Sequence, residues 1–166
     1  MSPKDKEQDF RRIVKQYRNM LWHIISDYTF GASLQPDDCF QEVLFMLWRY
    51  HGSLRRAESE RQWVYRVATT TMLMLRRKKS NHPFESLTTV EDPIESINEY
   101  YRQEDYALLW QLIDQLDRTS SLIVRAHLDG FTFDEIAVSM QMTTAAVSKR
   151  YSRAISKIKQ QYENTL

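Results

Sequence analysis

The chain has 166 residues, of which 42% are hydrophobic and 27% charged, and its formal net charge at pH 7 is +1, a composition typical of globular proteins. Three glycines and four prolines are few turn formers, so the composition favours helices over a strand-rich fold. The single cysteine, Cys39, excludes an internal disulfide, and no segment approaches the roughly 18 apolar residues of a membrane span. We therefore expect a cytoplasmic protein with no direct membrane insertion.

The charged residues are divided into three blocks along the chain. Residues 61–80 contain arginines and lysines with no acid among them, residues 84–117 are acidic with Arg102 as the lone cation, and the chain from Thr143 onward is basic again. Two basic blocks separated by an acidic one predict two contacts with a polyanion and a middle segment that avoids it.

The first part of the chain predicts two helices separated by a short break. Apolar residues at helical spacing predict a first helix over about Lys6–Tyr28, and Pro36 suits the start of a second helix over Asp37–Tyr50. One side of this second helix is an apolar stripe of Phe40, Val43, Leu44, Leu47 and Trp48. Phe45 and Met46 lie on another side among polar residues, which indicates a partner surface. The alternative is a helix buried on both sides within its own domain.

A third helix is expected over Glu60–Lys79, with two distinct stripes. The core stripe contains Val64, Val67, Ala68, Thr71 and Leu75. The other stripe is polar and basic and contains Arg61, Tyr65, Thr69, Met72 and Arg76. Polar, proline-containing sequence then predicts a linker, and a helical pattern resumes near Asn98. The fold class is therefore all-α, with two small helical domains at residues 1–80 and 105–166 joined by an acidic linker at 81–104.

The carboxy-terminal domain ends in a pair of helices. Phe133–Met140 predicts a short amphipathic helix, and after a tight turn Thr143 or Thr144 caps a longer basic helix. The buried side of the longer helix contains Val147, Tyr151, Ala154, Ile155 and Ile158. Its exposed side has small residues first and cations beside them, which suits a helix inserted into a major groove. The pair predicts a helix-turn-helix, and the alternative is an ordinary helical hairpin with a solvated basic helix.

The stretch "GFTFDEIAVSMQMTTAAVSKRYSRAISKIK" resembles the region of extracytoplasmic-function (ECF) sigma factors of bacterial RNA polymerase that reads the minus-thirty-five promoter element. The residues that match the family pattern are Gly130, Glu135, Ile136, Ala137, Val147, Arg150, Arg153 and Ala154. Two features depart from the pattern: Ala146 replaces a frequent threonine, and Met140-Gln141-Met142 replaces the usual Leu-Gly-hydrophobic turn.

The amino-terminal half resembles region 2 of the same family. "PDDCFQEVLFMLWRY" is similar to the helix that docks on the largest polymerase subunit, and "WVYRVATTTMLMLRRKK" is similar to the segment that engages and opens the minus-ten element. The matches are Asp38, Gln41, Glu42, Val43 and Trp48 in the first stretch and Trp63, Tyr65, Arg66, Val67 and Ala68 in the second. Thr69 and Thr70 replace the family's usual Arg and Asn, which puts the minus-ten base preference in doubt.

The resemblance implies a sigma factor that binds core RNA polymerase, directs it to promoters and helps to melt the minus-ten region. It implies core-polymerase contacts by Asp38, Gln41, Glu42, Phe45, Met46 and Arg49. It implies minus-ten contacts by Arg61, Trp63, Tyr65, Arg66, Thr69, Thr70, Arg76 and Arg77. It implies minus-thirty-five contacts by Thr144, Ala145, Ser148, Lys149, Arg150, Ser152, Arg153 and Lys157. The implied partners are core RNA polymerase, promoter DNA and an anti-sigma factor, and the linker would run through polymerase channels or act as a simple tether.

Three interpretations are weaker. A stand-alone helix-turn-helix regulator would use the second helix for dimerisation, and a sigma-like interaction protein would bind polymerase without melting promoters. Catalysis has no supporting motif, because the four histidines are scattered with no metal-binding spacing and no phosphate-binding loop is present. We expect no cofactor, no metal and no enzymatic activity of the chain by itself. Core packing is the alternative role for Trp63, and a solvated helix end is the alternative for the cations at 76–79.

Overall fold

The computed structural model of the chain describes residues 1–80 and 97–165. Across these two ranges the chain forms eight helices and no strand, which confirms the all-α prediction. The helices are α1 (Pro3–Gln16), α2 (Arg18–Thr29), α3 (Pro36–Arg49), α4 (Glu60–Ser80), α5 (Ile97–Asp114), α6 (Arg118–Leu128), α7 (Phe133–Met140) and α8 (Thr144–Thr165). The chain divides into two compact units, an amino-terminal unit (Met1–Leu87) and a carboxy-terminal unit (Thr88–Leu166).

The predicted linker partly overlaps a helix. Residues 81–96 of that linker lie outside the described residues, whereas residues 97–104 belong to α5. The helical pattern expected to resume near Asn98 is confirmed by the start of α5 at Ile97. Residues 97–104, which the sequence assigned to the linker, are therefore helical.

In the amino-terminal unit, α2, α3 and α4 pack against one another. Their shared core is made by Leu21, Ile24, Ile25 and Tyr28 of α2, Cys39, Val43 and Leu47 of α3, and Trp63, Val64, Val67, Ala68, Met72 and Leu73 of α4. The first predicted helix is in fact two helices, because Tyr17 leaves helical dihedral angles (φ −104°, ψ 13°) between α1 and α2. Apolar spacing continues across this break, so periodicity could not locate it.

Polar contacts attach α1 to the rest of the amino-terminal unit, since Ile13 is the one buried residue of this helix. Arg12 donates through Nη1 and Nη2 to both carboxylate oxygens of Glu60, at 2.9 and 2.6 Å, and these bonds hold the pKa of Glu60 below its ordinary value. His51 Nε2 lies 2.7 Å from Asp9 Oδ2. An ion pair joins α1 to the start of α4, and a histidine–carboxylate hydrogen bond joins it to the connection between α3 and α4.

The carboxy-terminal unit has its own apolar core. The core is formed by Leu112, Ile113, Leu116, Val124, Ala154 and Ile158, with Leu108, Leu109, Tyr151 and Ile155 packed against it. Arg125 lies within this unit at 6% exposure, with its guanidinium 4.4 Å from the centre of the Trp110 ring, and burial lowers its pKa. No helix among residues 1–80 and 97–165 is long and apolar enough to cross a membrane.

The short helix α7 is started by a reciprocal cap. The Thr132 hydroxyl accepts from the Glu135 amide at 3.1 Å, and the Glu135 carboxylate accepts from the Thr132 amide at 3.1 Å. Such a capping box satisfies two amides that a helix start leaves unpaired, so an eight-residue helix gets a fixed first turn. Glu135, a residue that matches the family pattern, therefore has a structural role in the helix-turn-helix.

Candidate functional site

The outer side of α3 is a solvent-exposed face, defined here as the α3 face. Its members are Asp38, Gln41, Glu42, Phe45 and Arg49, which are exposed, and Met46, which is half-buried. Phe45 is 55% exposed, whereas Val43 and Leu47 on the opposite side are fully buried. The helix therefore separates a core side from an outer side with an exposed aromatic residue, as the pattern predicted.

Trp48 does not belong to the core stripe in which the sequence placed it, because it is 38% exposed. Phe10 of α1 meets its ring edge-on at a centroid distance of 5.3 Å, and Lys6 Nζ lies 4.2 Å from the ring centre. Tyr50, just beyond α3, is 45% exposed. The helical pattern did not mark these two aromatics as surface residues, although both lie close to Phe45 along the chain.

The predicted polar stripe of α4 is largely buried, which corrects the expectation that it faces DNA. Trp63, Tyr65 and Thr69 are 3%, 7% and 3% exposed. Trp63 Nε1 donates to Ser53 Oγ at 3.0 Å, and the Thr69 hydroxyl donates to the Tyr65 carbonyl at 2.7 Å. Trp63 takes the alternative role of core packing, because the connection between α3 and α4 folds over the first half of α4.

Arg66 and Arg76, two of the cations predicted to bind the DNA backbone, have partners within the amino-terminal unit. Arg66 donates to both oxygens of buried Glu58, with Nε–Oε1 at 2.9 Å and Nη2–Oε2 at 3.1 Å. Arg76 Nη1 donates to the carbonyls of Tyr28 and Phe30 at 2.8 and 3.2 Å. Carbonyls at the end of a helix have no partner within it, so Arg76 caps the end of α2.

The predicted minus-ten set is therefore reduced to its more accessible members. Arg61 is exposed, and Thr70 and Arg77 are half-buried. These three residues are spread along the length of α4 and do not follow one another closely in the sequence. In the amino-terminal unit, the α3 face is consequently a better defined surface than α4.

The side of α8 that was predicted to contact DNA is exposed. Thr144, Ala145, Lys149, Arg150, Ser152, Arg153 and Lys157 are exposed and Ser148 is half-buried. On the opposite side Val147, Ala154 and Ile158 are buried. Thr143 is the capping residue, since its hydroxyl accepts from the Ala146 amide at 3.1 Å, and the Thr144 hydroxyl donates to Asp134 of α7 at 2.8 Å.

The cations on this side of α8 differ in their partners. Arg150 Nη1 lies 2.8 Å from Asp117 Oδ2. Lys149, Arg153 and Lys157 make no ion pair with any residue that the structure describes. Three cations are thus available to a polyanion on one helix side, and a fourth is held by an acid of the same unit.

The turn between α7 and α8 contains a residue in the left-handed region, Gln141 (φ 56°, ψ 44°). A side chain in this region costs about 1–2 kcal/mol of folded-state stability. Glycine avoids that cost, but its more flexible unfolded chain lowers the free energy of unfolding by about 0.4–1 kcal/mol. We expect Gln141→Gly to raise the free energy of unfolding of the carboxy-terminal unit by about 0.5–1 kcal/mol. Urea unfolding, with hydrogen exchange of α8 amides as a local readout, measures this change.

Gln160→Gly is the matched control, because Gln160 is exposed inside α8. This change should lower stability by about 0.8–1 kcal/mol, the cost of glycine in a helix interior. Equal losses of stability in the two variants would contradict the left-handed assignment of the turn.

Comparison with known proteins identifies the family of both units. The Sigma-70 region 2 family matches residues 13–82, and the Sigma-70 region 4 family matches residues 106–158. Together the two ranges cover well over half of the chain, in the order that sigma factors have. The chain therefore belongs to the sigma-70 family, as an ECF-type sigma factor with regions 2 and 4.

Individual relatives extend this result. The chain is 27% identical over 159 residues to the RNA polymerase sigma-H factor of Pseudomonas aeruginosa, with 87% of this chain and 81% of that protein covered. Its fold is similar to CnrH, solved in complex with the cytosolic domain of CnrY (TM-score 0.60, 16% identity, 95% and 90% coverage). It is also similar to the sigma factor RpoE, solved in complex with the anti-sigma factor NepR from Bartonella quintana (TM-score 0.60, 14% identity, 94% and 98% coverage).

Proposed function

We propose that this chain binds core RNA polymerase and directs it to promoters with minus-ten and minus-thirty-five elements. The observation that carries the proposal is the α3 face, where Phe45 stands 55% exposed on the outer side of a helix whose other side is core. Aromatic residues, methionine and arginine are enriched at protein interfaces, so Phe45, Met46 and Arg49 support a docking role for this face. In this proposal the α3 face docks on the polymerase.

The exposed side of α8 is the proposed reader of the minus-thirty-five element. Small residues at its start let the helix approach base edges, and Lys149, Arg153 and Lys157 supply cations for phosphates or guanines. Phosphate contacts set affinity and position, whereas base contacts set sequence preference. Both kinds of contact are available along this one helix side.

The minus-ten step is proposed to use the accessible residues of α4, Arg61, Thr70 and Arg77, with Trp63 and Arg66 holding the α3–α4 connection in place. Burial of Trp63 and Tyr65 favours a second candidate function, that of a sigma-like protein that binds polymerase without melting DNA. Base capture needs an exposed aromatic or a pocket for a flipped base. The two candidates differ in whether the polymerase complex opens promoter DNA.

The remaining partners follow from the same proposal. The chain would act in the cytoplasm, where bacterial polymerase is, and would contribute binding rather than catalysis of its own. An anti-sigma partner is proposed because the similar protein RpoE was solved with the anti-sigma factor NepR. Such a partner would hold the chain inactive by covering surfaces that polymerase or DNA needs.

Transcription in vitro tests this function. Core bacterial RNA polymerase is incubated with fragmented genomic DNA of the source organism, with and without the chain, and the 5′ ends of the transcripts are sequenced. We expect a set of start sites that needs the chain and shares two upstream elements. The double variant Ser152→Ala plus Arg153→Ala should reduce transcripts from these sites roughly 10-fold or more, since each good base contact is worth about 1–3 kcal/mol.

Lys159→Ala plus Gln160→Ala is the matched control, because these exposed residues lie later in α8 and outside the proposed DNA-binding residues. The control should retain the start sites. A polymerase complex that forms without any new start sites would favour the second candidate. Tight duplex binding by the chain alone, with no polymerase complex, would instead favour a stand-alone regulator.

A further inference from the structure

We propose that Asp117 competes with the DNA backbone for Arg150, and thereby limits the affinity of α8 for duplex DNA of any sequence. The inference rests on the proposed function, in which the exposed side of α8 contacts DNA. Asp117 lies between α5 and α6 and belongs to no part of the helix-turn-helix. It is separated by 33 positions from the cation that it binds.

Asp117 is held in place independently of Arg150. It is the N-cap residue of α6, and its Oδ2 accepts from the Ser120 amide at 3.2 Å. The hydrogen bonds with Ser120 lower the pKa of Asp117, and the charge of Arg150 lowers it further. The carboxylate is therefore ionised at neutral pH and stays near α8 whether or not Arg150 is bound to it.

The pair is accessible enough to exchange partners. The Arg150 and Asp117 side chains are 45% and 60% exposed. An ion pair in water is populated only a few-fold over its open state, so a DNA phosphate can displace the carboxylate. The Glu58–Arg66 pair differs, because the Glu58 side chain is completely buried and Arg66 is only 19% exposed, so a phosphate has little access to the cation.

The competition has a consequence for sequence selection. Phosphate contacts raise affinity for all DNA, and selection depends on the ratio of specific to non-specific binding. An acid that withholds Arg150 from phosphates, and repels the backbone, weakens non-specific binding. Lys149, Arg153 and Lys157 lack such an acid among the described residues, so Arg150 is the position at which this control acts.

The test is Asp117→Asn in the full chain, since asparagine is as good an N-cap as aspartate and should keep α6 intact. Binding to a fluorescein-labelled 20-base-pair duplex of arbitrary sequence is measured by anisotropy over a salt series. We expect roughly threefold to sixfold tighter binding at low salt, as a weak competing ion pair is removed. The slope of log K against log salt should become steeper by up to about 0.9, because Arg150 contacts a phosphate in only a fraction of the wild-type complexes and in nearly all complexes of the variant.

Two controls isolate the effect. Glu163→Gln removes one negative charge from the exposed end of α8 and should leave affinity and slope nearly unchanged. In an Arg150→Ala background, Asp117→Asn should have no effect on the slope, because the cation that it releases is gone. If Asp117 had only a structural role, Asp117→Asn would not change the salt slope in the wild-type background while leaving it unchanged in the Arg150→Ala background.

The outcomes are distinguishable from those of the proposed function. Unchanged or weaker duplex binding by Asp117→Asn, or no duplex binding by either chain, overturns the competition. If the same variant still forms a complex with core polymerase, the proposed function stands without it. If the wild-type chain forms no complex with core polymerase, the proposed function is wrong. Tighter duplex binding by Asp117→Asn in that case would still support competition between Asp117 and DNA for Arg150.

Discussion

Replacing Glu58 with alanine is expected to lower the free energy of unfolding of the amino-terminal unit by about 3 kcal/mol. The Glu58 side chain is completely buried, and the Arg66 side chain bonded to it is 19% exposed. Removing one partner of a buried pair leaves an uncompensated charge, which typically costs about 3–5 kcal/mol. The lower end applies here because Arg66 reaches water. Glu58 also accepts from the Arg55 amide at 3.0 Å, so the variant removes a second hydrogen bond from the α3–α4 connection.

Thermal unfolding followed by far-ultraviolet circular dichroism measures this decrease in stability. For a unit of this size each kcal/mol corresponds to about 4–8 °C, so the melting temperature should fall by more than about 10 °C. Glu7→Ala is the control, because the side chains of its pair with Arg11 are 54% and 76% exposed and should contribute less than about 1 kcal/mol. Equal stability of the two variants would show that the Glu58–Arg66 pair does not hold the connection.

The helices with one clear partner side could be predicted from the sequence. In α3 and α8 the buried residues recur at helical spacing, so periodicity assigned the core side of both helices apart from Trp48. The capping threonine before α8 and the start of α5 were predictable for the same local reason. These features depend on interactions within a few residues, which the sequence displays directly.

The helix α4 and most of its core stripe are confirmed, but its polar stripe is largely buried for a non-local reason. A helix that contacts α2, α3 and the preceding connection is covered on several sides, and periodicity assumes a single buried side. The polar residues Gln62, Thr69 and Thr71 are buried in α4. The Thr69 hydroxyl donates to the carbonyl four residues earlier, so a residue that the sequence placed in the polar stripe is tolerated in the core.

The charge blocks of the sequence indicated which cations could bind DNA, but they could not predict which groups of the folded chain those cations bind. Arg76 binds carbonyls at the end of α2, 46 and 48 positions away, and Arg150 binds Asp117, 33 positions away. A sequence contains no signal for backbone carbonyls as partners, since every residue has one. Availability of a cation for DNA is thus a property of the fold, and it reduced the predicted minus-ten set more than the minus-thirty-five set.

The turn of the helix-turn-helix shows a third kind of limit. The departure from glycine at Gln141 was visible in the sequence, but its conformational meaning required the dihedral angles. A family pattern with glycine at that point is explained by the left-handed backbone, because glycine adopts it without a side-chain clash. In this chain Gln141 adopts the strained left-handed conformation, so a glycine at this position is expected to raise the free energy of unfolding.

The double variant Phe45→Ala plus Gln41→Ala on the α3 face is expected to weaken the binding of the chain to core polymerase. Both residues are exposed, so the double variant should keep its circular dichroism spectrum and melting temperature. Truncating a central aromatic typically costs about 2 kcal/mol or more, and because the variant also removes the Gln41 amide, the affinity should fall roughly 30–100-fold. Tyr162→Ala plus Gln160→Ala, an exposed aromatic and amide at the end of α8, is the matched control and should bind normally.

Gel filtration of the purified chain with core bacterial RNA polymerase tests the central claim most directly. We predict that the wild-type chain and the α8-end control co-elute with polymerase, and that the Phe45 and Gln41 double variant elutes separately at the same concentration. A folded wild-type chain that elutes apart from core polymerase would contradict the account.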